Sequence, residues 1–228
     1  MLTEHIFATG AQAATDIAAR IATLLSDAIA ARGVATLAVS GGRSPRPVLE
    51  ALSKVPLDWT KLIVTLVDER WVDPVSADSN ERLVRETLLQ GPAAAARFVP
   101  MKNSAADAYA GQSAVEADFT ALPWPFDIIL LGMGDDGHTA SLFPASPNLE
   151  LALQAACPRR VLPMQAPSAP AQRLSLTLPL LAAARLPLLA IQGPDKLATL
   201  RAALGGDDVA DMPIRALLHS PLEIYWCP

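Results

Sequence analysis

A chain of 228 residues, 51% apolar and 18% charged, is long enough to bury a large core without disulfides or a structural metal. Its net charge is −5 and its 18 Lys and Arg are scattered, so the basic stripe of a nucleic-acid binder is missing. Mean hydropathy is high at +0.30, yet Gly, Pro or charge interrupts each apolar run short of the ~18 residues that a membrane span needs. The opening Met1–His5 lacks the basic start and apolar block of a signal peptide, and the two cysteines, Cys157 and Cys227, form no motif. A reducing, cytoplasmic setting is expected, with neither nucleic acid nor membrane as partner.

Helical spacing of Ile17, Ile21, Leu24, Leu25, Ala28 and Ile29 predicts a first helix, and Gly33 stands where a glycine would stop it. Val34–Ser40 then reads as a buried strand feeding Gly41-Gly42, and Pro45–Lys54 as the helix after that turn. Leu62–Asp68 is a second buried strand, followed by a helix over Ser79–Gln90. Pro92–Arg97 is a loop or helix end, and Ala105–Leu122 a helix. Phe126–Gly132 and Leu186–Gln192 are further strands, and Asp195–Leu204 is the last helix. Strands apolar on both faces that alternate with amphipathic helices predict an α/β fold. Its mainly parallel twisted sheet carries helices on both faces, a three-layer, Rossmann-like arrangement. No repeat or linker divides residues 1–228, so a single domain is expected.

Three of these strands end in turns rich in chemistry, and ligands of such sheets bind beyond the carboxyl ends of the strands. In Ser40-Gly41-Gly42-Arg43-Ser44-Pro45, glycines permit close backbone approach and the following helix start offers N–H groups to an anion. The Ser44 hydroxyl and Arg43 add to a phosphate site. In Asp68-Glu69-Arg70-Trp71, the Asp68 carboxylate and Arg70 stand at the sheet edge, where the bland alternative is a surface ion pair. The third turn, Gly132-Met133-Gly134-Asp135-Asp136-Gly137-His138, spells GxGxxG after a strand. A dinucleotide fingerprint should open a helix, and Pro144 and Pro147 interrupt one here. Asp135, Asp136 and His138 could be imagined around a metal, but the other histidines, His5 and His219, lie near the termini and no ligand spacing supports it. Ser141 lacks the Gly-x-Ser-x-Gly elbow of a nucleophile. His138 stands on a polar turn, where an imidazole can accept a proton near neutral pH. A catalytic or ligand-contacting role is expected for it.

Taken together, LAVSGGRSP, VDERWV with DSNERLVRETLL, LLGMGDDGHTASLFP, RLSLTLPLL and QGPDK resemble the 6-phosphogluconolactonase family, within the group that includes glucosamine-6-phosphate deaminase. The resemblance spans nearly the whole chain. It implies hydrolysis of a phosphorylated sugar lactone. Because a lactone is an ester, one base and water suffice without metal or cofactor, and a monomer or weak homo-oligomer is expected. It implies a catalytic His138 with Asp136 beside it and Arg70 at the strand end. It implies phosphate at Gly41, Gly42 and Ser44, and help with the anionic end from Arg173 and Lys196. Ser44 replaces a frequent threonine and keeps the hydroxyl. The deaminases differ where this chain has Arg70 and Leu142-Phe143-Pro144, and the carboxylate that partners their histidine is missing. A non-catalytic sugar-phosphate sensor is the remaining alternative.

Overall fold

Residues 2–228 are described by the computed structural model. The chain begins with strand β1 (Leu2–Ile6), ahead of helix α1 (Gly10–Arg32). Thr9 caps that helix by accepting from the Gln12 N–H at 3.3 Å, and Gly33, at φ +76°, ends it by donating to the Ile29 carbonyl. Its buried face carries Ile17, Ile21 and Leu25. Next come β2 (Ala35–Val39), α2 (Pro45–Leu52), β3 (Leu62–Leu66), β4 (Asp68–Arg70), α3 (Asn80–Thr87) and β5 (Arg97–Phe98). After α4 (Ala108–Thr120), β6 (Ile128–Leu131) and α5 (Leu149–Leu153) lie β7 (Val161–Gln165), β8 (Gln172–Leu176) and α6 (Leu178–Ala183). The chain closes with β9 (Leu186–Gln192), α7 (Pro194–Leu204), α8 (Arg215–Leu218) and β10 (Leu222–Cys227).

Seven strands form one sheet in the order β1-β10-β9-β6-β2-β3-β5, and every pairing in it is parallel. All residues of β2, β3 and β6 are buried, as a sheet covered on both faces requires. From the β2–β6 boundary the chain winds toward opposite edges. Right-handed crossovers therefore put α1 and α2 on one face and α6 and α7 on the other. Such a reversal opens a crevice at the strand ends, and the site lies there.

Structure departs from sequence expectation at several strands. A strand, β1, precedes the first helix; with hydrogen bonds to one neighbour only, β10, it needs no strongly apolar pattern. The run Leu62–Asp68, expected as one strand, divides at Val67. The Val67 N–H still reaches the Val39 carbonyl at 3.0 Å, but its own carbonyl turns to accept from the Leu176 N–H at 2.8 Å. Asp68 thus begins β4, in a separate antiparallel sheet ordered β4-β8-β7. The strands β5, β7, β8 and β10 were outside the expected set as well: β5 has only two residues, β8 alternates polar with apolar side chains, β7 has Pro163 within its run, and β10 carries Glu223 near its start. The alanine-rich segment is a 3-10 turn over Gly91–Ala95. Among the described residues, no helix is long and apolar enough to cross a membrane.

Candidate active site

An open cleft of about 640 Å³ lies over the carboxyl ends of β2, β6 and β9. Gly41, Gly42, Arg43, Ser44, Asp68 and Arg70 line it, as do His138, Arg173 and Lys196. Among the residues expected from sequence only Asp136 is not part of the lining, and it touches His138.

The turn after β2 is shaped by its neighbours. A Cβ on Gly41 would lie 1.8 Å from Asn80 Oδ1, so no side chain fits there. Gly42 has φ +99°, a conformation that L side chains rarely adopt. Ser44 precedes α2 and its side chain makes no capping bond, which leaves the hydroxyl to a ligand. Pro45 and Pro47 have no N–H, so Arg46 has the one amide among the first three positions of that helix. An anion here would be met chiefly by the turn's own amides.

Behind this turn, Glu69 is buried and organises α3. Its carboxylate accepts from the backbone N–H groups of Arg70 (2.7 Å), Asn80 (2.8 Å) and Glu81 (2.7 Å), and from the Ser79 hydroxyl (3.1 Å). Burial pushes its carboxyl above the usual range, while these amides pull the other way. Asn80 Nδ2 also donates to the Asp68 carbonyl at 2.8 Å. Glu69 and Asn80 were missed by sequence reasoning. A Ser-Asn-Glu helix start beside a strand-end acidic pair was their only signal.

On the third turn, His138 Nδ1 lies 2.5 Å from Asp136 Oδ1, and the same oxygen accepts from the His138 N–H at 3.1 Å. Burial pushes the Asp136 carboxyl up, but its bonds with the histidine outweigh this and hold it below the usual carboxylate range. Gly134 is obligatory here, since a Cβ on it would come within 2.0 Å of His138 Nδ1 and 2.5 Å of Asp136 Oδ1. The Gly134 N–H donates to the His138 carbonyl at 2.8 Å, closing the turn. No helix follows until Leu149, so the GxGxxG spacing is that of a closed loop. Phe143 stacks at a tilt on His138, with ring centroids 4.2 Å apart. Ser141 is fully buried and donates to Asp68 Oδ2 at 2.6 Å, which makes it no exposed nucleophile.

The antiparallel ribbon supplies two of the cations. Arg70 and Arg173 are register partners across β4 and β8. Arg70 Nη1 donates to the Asp78 carbonyl at 2.7 Å. The Nε atoms of both arginines are buried without a hydrogen-bond partner. Burial, then the neighbouring Arg70 charge, lowers the pKa of Arg173. Like charges opposite one another in a ribbon are unfavourable, so this pair is suited to an anion between them. Lys196, in the first turn of α7, pairs with Asp135 Oδ1 at 2.7 Å. Among the described residues, no three His, Cys, Asp or Glu side chains converge on a metal position.

The family model for glucosamine-6-phosphate isomerases/6-phosphogluconolactonase matches residues 8–226. A 6-phosphogluconolactonase of Pseudomonas putida is 55% identical over 224 residues, covering 98% of this chain and 92% of the relative. The crystal structure of a 6-phosphogluconolactonase from Shewanella baltica superposes with a TM-score of 0.97 at 39% identity, covering 100% of this chain and 98% of that one. A monomeric glucosamine-6-phosphate deaminase, at 20% identity, shares the fold alone, with a TM-score of 0.78, covering 99% and 97% of the two chains. The ordered motifs, the cleft and these full-length matches agree: the chain belongs to the glucosamine-6-phosphate isomerase/6-phosphogluconolactonase family.

Proposed function

We propose that this chain, acting as one domain over residues 1–228, hydrolyses 6-phospho-D-glucono-1,5-lactone to 6-phospho-D-gluconate. The observation that carries the reading is the Asp136–His138 pair at 2.5 Å. With Nδ1–H held by the carboxylate, Nε2 of this cleft-lining histidine keeps its lone pair and can accept a proton. A lactone is an ester, so one well-placed base and one water suffice for its opening. Water attacks C1 and gives a proton to His138 Nε2. The tetrahedral intermediate collapses as the C1–ring-oxygen bond breaks, and the imidazolium returns that proton to the leaving oxygen. Asp136 keeps the ring oriented and stabilises its charged form. Catalysis by a base of this kind is typically worth 10²–10⁴-fold.

The phosphate is assigned to the Gly41–Ser44 turn, where the free hydroxyl and the amides meet it, with Lys196 contributing charge. Arg70 and Arg173, as register partners, act on neighbouring atoms of the ligand and oppose negative charge that develops on it. Asp68 offers its remaining oxygen to a sugar hydroxyl. The free cysteines Cys157 and Cys227 fit a reducing, cytoplasmic setting. Acid release from the phosphorylated lactone, followed by pH indicator, tests the assignment. His138→Ala lowers kcat by about 10²-fold or more, and turnover close to wild type in the folded variant would remove the base assignment.

A further inference from the structure

The base and the cations of this site belong to different sheets. His138 follows β6 of the parallel sheet, whereas Arg70 and Arg173 lie on the antiparallel ribbon. Their separation, which decides whether charge is opposed where the base creates it, depends on how the catalytic turn is fastened to the ribbon. Ser141 makes that fastening. Its hydroxyl donates to Asp68 Oδ2 at 2.6 Å, and its N–H donates to Ser175 Oγ at 3.1 Å. Ser175 in turn donates to the Leu176 carbonyl at 3.1 Å. Asp68 and Ser175 are register partners, two positions along from the Arg70–Arg173 pair. Ser141 therefore grips both β4 and β8, the two strands that carry the cations.

Two further features mark the turn as held rather than relaxed. Ala140, between Thr139 and Ser141, has φ +50°, a left-handed conformation that a residue with a Cβ adopts only when its surroundings impose it. Ser141 and Ser175 are each 0% exposed and Asp68 is 7% exposed, so these bonds work away from water, where a lost partner is not replaced. Phe143, two residues beyond Ser141, fills the space between the two groups, 4.2 Å from the His138 ring and 5.9 Å below the Arg173 guanidinium.

We propose that Ser141 is a positioning residue for the hydrolysis: by bonding Asp68 and Ser175 it fixes His138 relative to the Arg70–Arg173 pair. This rests on the proposed function, with His138 as base. The ligand meets His138, the arginines and Asp68, and Ser141 acts through them without touching it, its effect on rate running through His138.

Steady-state hydrolysis of the phosphorylated lactone by Ser141→Ala, with thermal melting in parallel, is the test. Ser141→Ala lowers kcat by about 10- to 100-fold and changes KM by less than about threefold, while the protein still melts cooperatively. In a His138→Ala background the same change leaves the residual rate unaltered, because the group it positions is gone. Should Ser141→Ala fail to fold, Ser141→Cys keeps a weak donor on a slightly larger side chain, and its kcat falls below wild type by about 3- to 30-fold. Loss of activity in His138→Ala with normal kcat in Ser141→Ala or Ser141→Cys overturns the positioning role and leaves the proposed function standing. Equal losses from Ser141→Ala in both backgrounds overturn it too. Full activity in His138→Ala overturns both.

Discussion

Consider Arg173→Met, which keeps an unbranched side chain of similar reach against Phe143 and removes the charge. In the free protein Arg173 is 7% exposed, its Nε has no partner, and its register partner is Arg70. A buried unsatisfied donor costs about 1–3 kcal/mol, and the like charge adds to that cost; the attraction of Asp68 offsets part of it. Removal should therefore stabilise the unliganded protein by roughly 1 kcal/mol, a rise in Tm of about 2–4 °C for a chain of this size. Activity should move in the opposite direction. A charge-assisted contact contributes about 1.5–3 kcal/mol, so kcat/KM falls about 10- to 150-fold. A stabilised variant with a damaged site is the trade-off expected where function holds two cations together. The assay pairs thermal melting with lactone hydrolysis, then repeats the melt with 6-phosphogluconate. Ligand at 100 times Kd stabilises wild type by about 2.7 kcal/mol, and the variant at the same concentration by much less. A variant that melts lower than wild type yet keeps kcat/KM within about twofold would refute the reasoning, because Arg173 would then be a packing residue.

Three other outcomes follow from the geometry. Gly134→Ala puts a methyl group within 2.0 Å of His138 Nδ1; kcat falls by on the order of 10²-fold as the Asp136–His138 pair parts, and a normal rate would show that the pair is dispensable. Lys196→Ala weakens use of the phosphorylated lactone by only about 2- to 10-fold, since its bond to exposed Asp135 already satisfies part of its charge; slow hydrolysis of the unphosphorylated lactone stays unchanged, and equal losses on both substrates would place the phosphate elsewhere. The Asp136 carboxyl is held below its ordinary range in the folded protein, so its contribution to stability is complete above that range and is lost as pH falls through the lowered pKa. Thermal melts between about pH 7 and about pH 3 should show Asp136→Asn losing less stability on acidification than wild type; parallel curves would contradict this.

The sequence alone determined the central parallel strands, because residues buried on both faces must be continuously apolar and runs such as VATLAVS can be little else. It determined the chemical content of the three turns, since Gly-Gly, Asp-Glu-Arg and Asp-Asp-Gly-His are legible wherever the chain goes. It located helix starts where a capping side chain is local, as at Ser79, which accepts from the Arg82 N–H at 3.2 Å. Tertiary structure decided the rest. Nothing local marks Val67 as the point where the chain leaves one sheet for another, because the bond that diverts it comes from Leu176, more than a hundred residues on. The pairing of Arg70 with Arg173 has the same origin: two cations distant in sequence become neighbours only through the register of β4 and β8. The roles of Glu69 and Ser141 were not legible in the sequence for a related reason. Their side chains act by gripping backbone and carboxylate groups that other elements bring to them, and a hydrogen bond between distant segments has no periodicity from which it could be read.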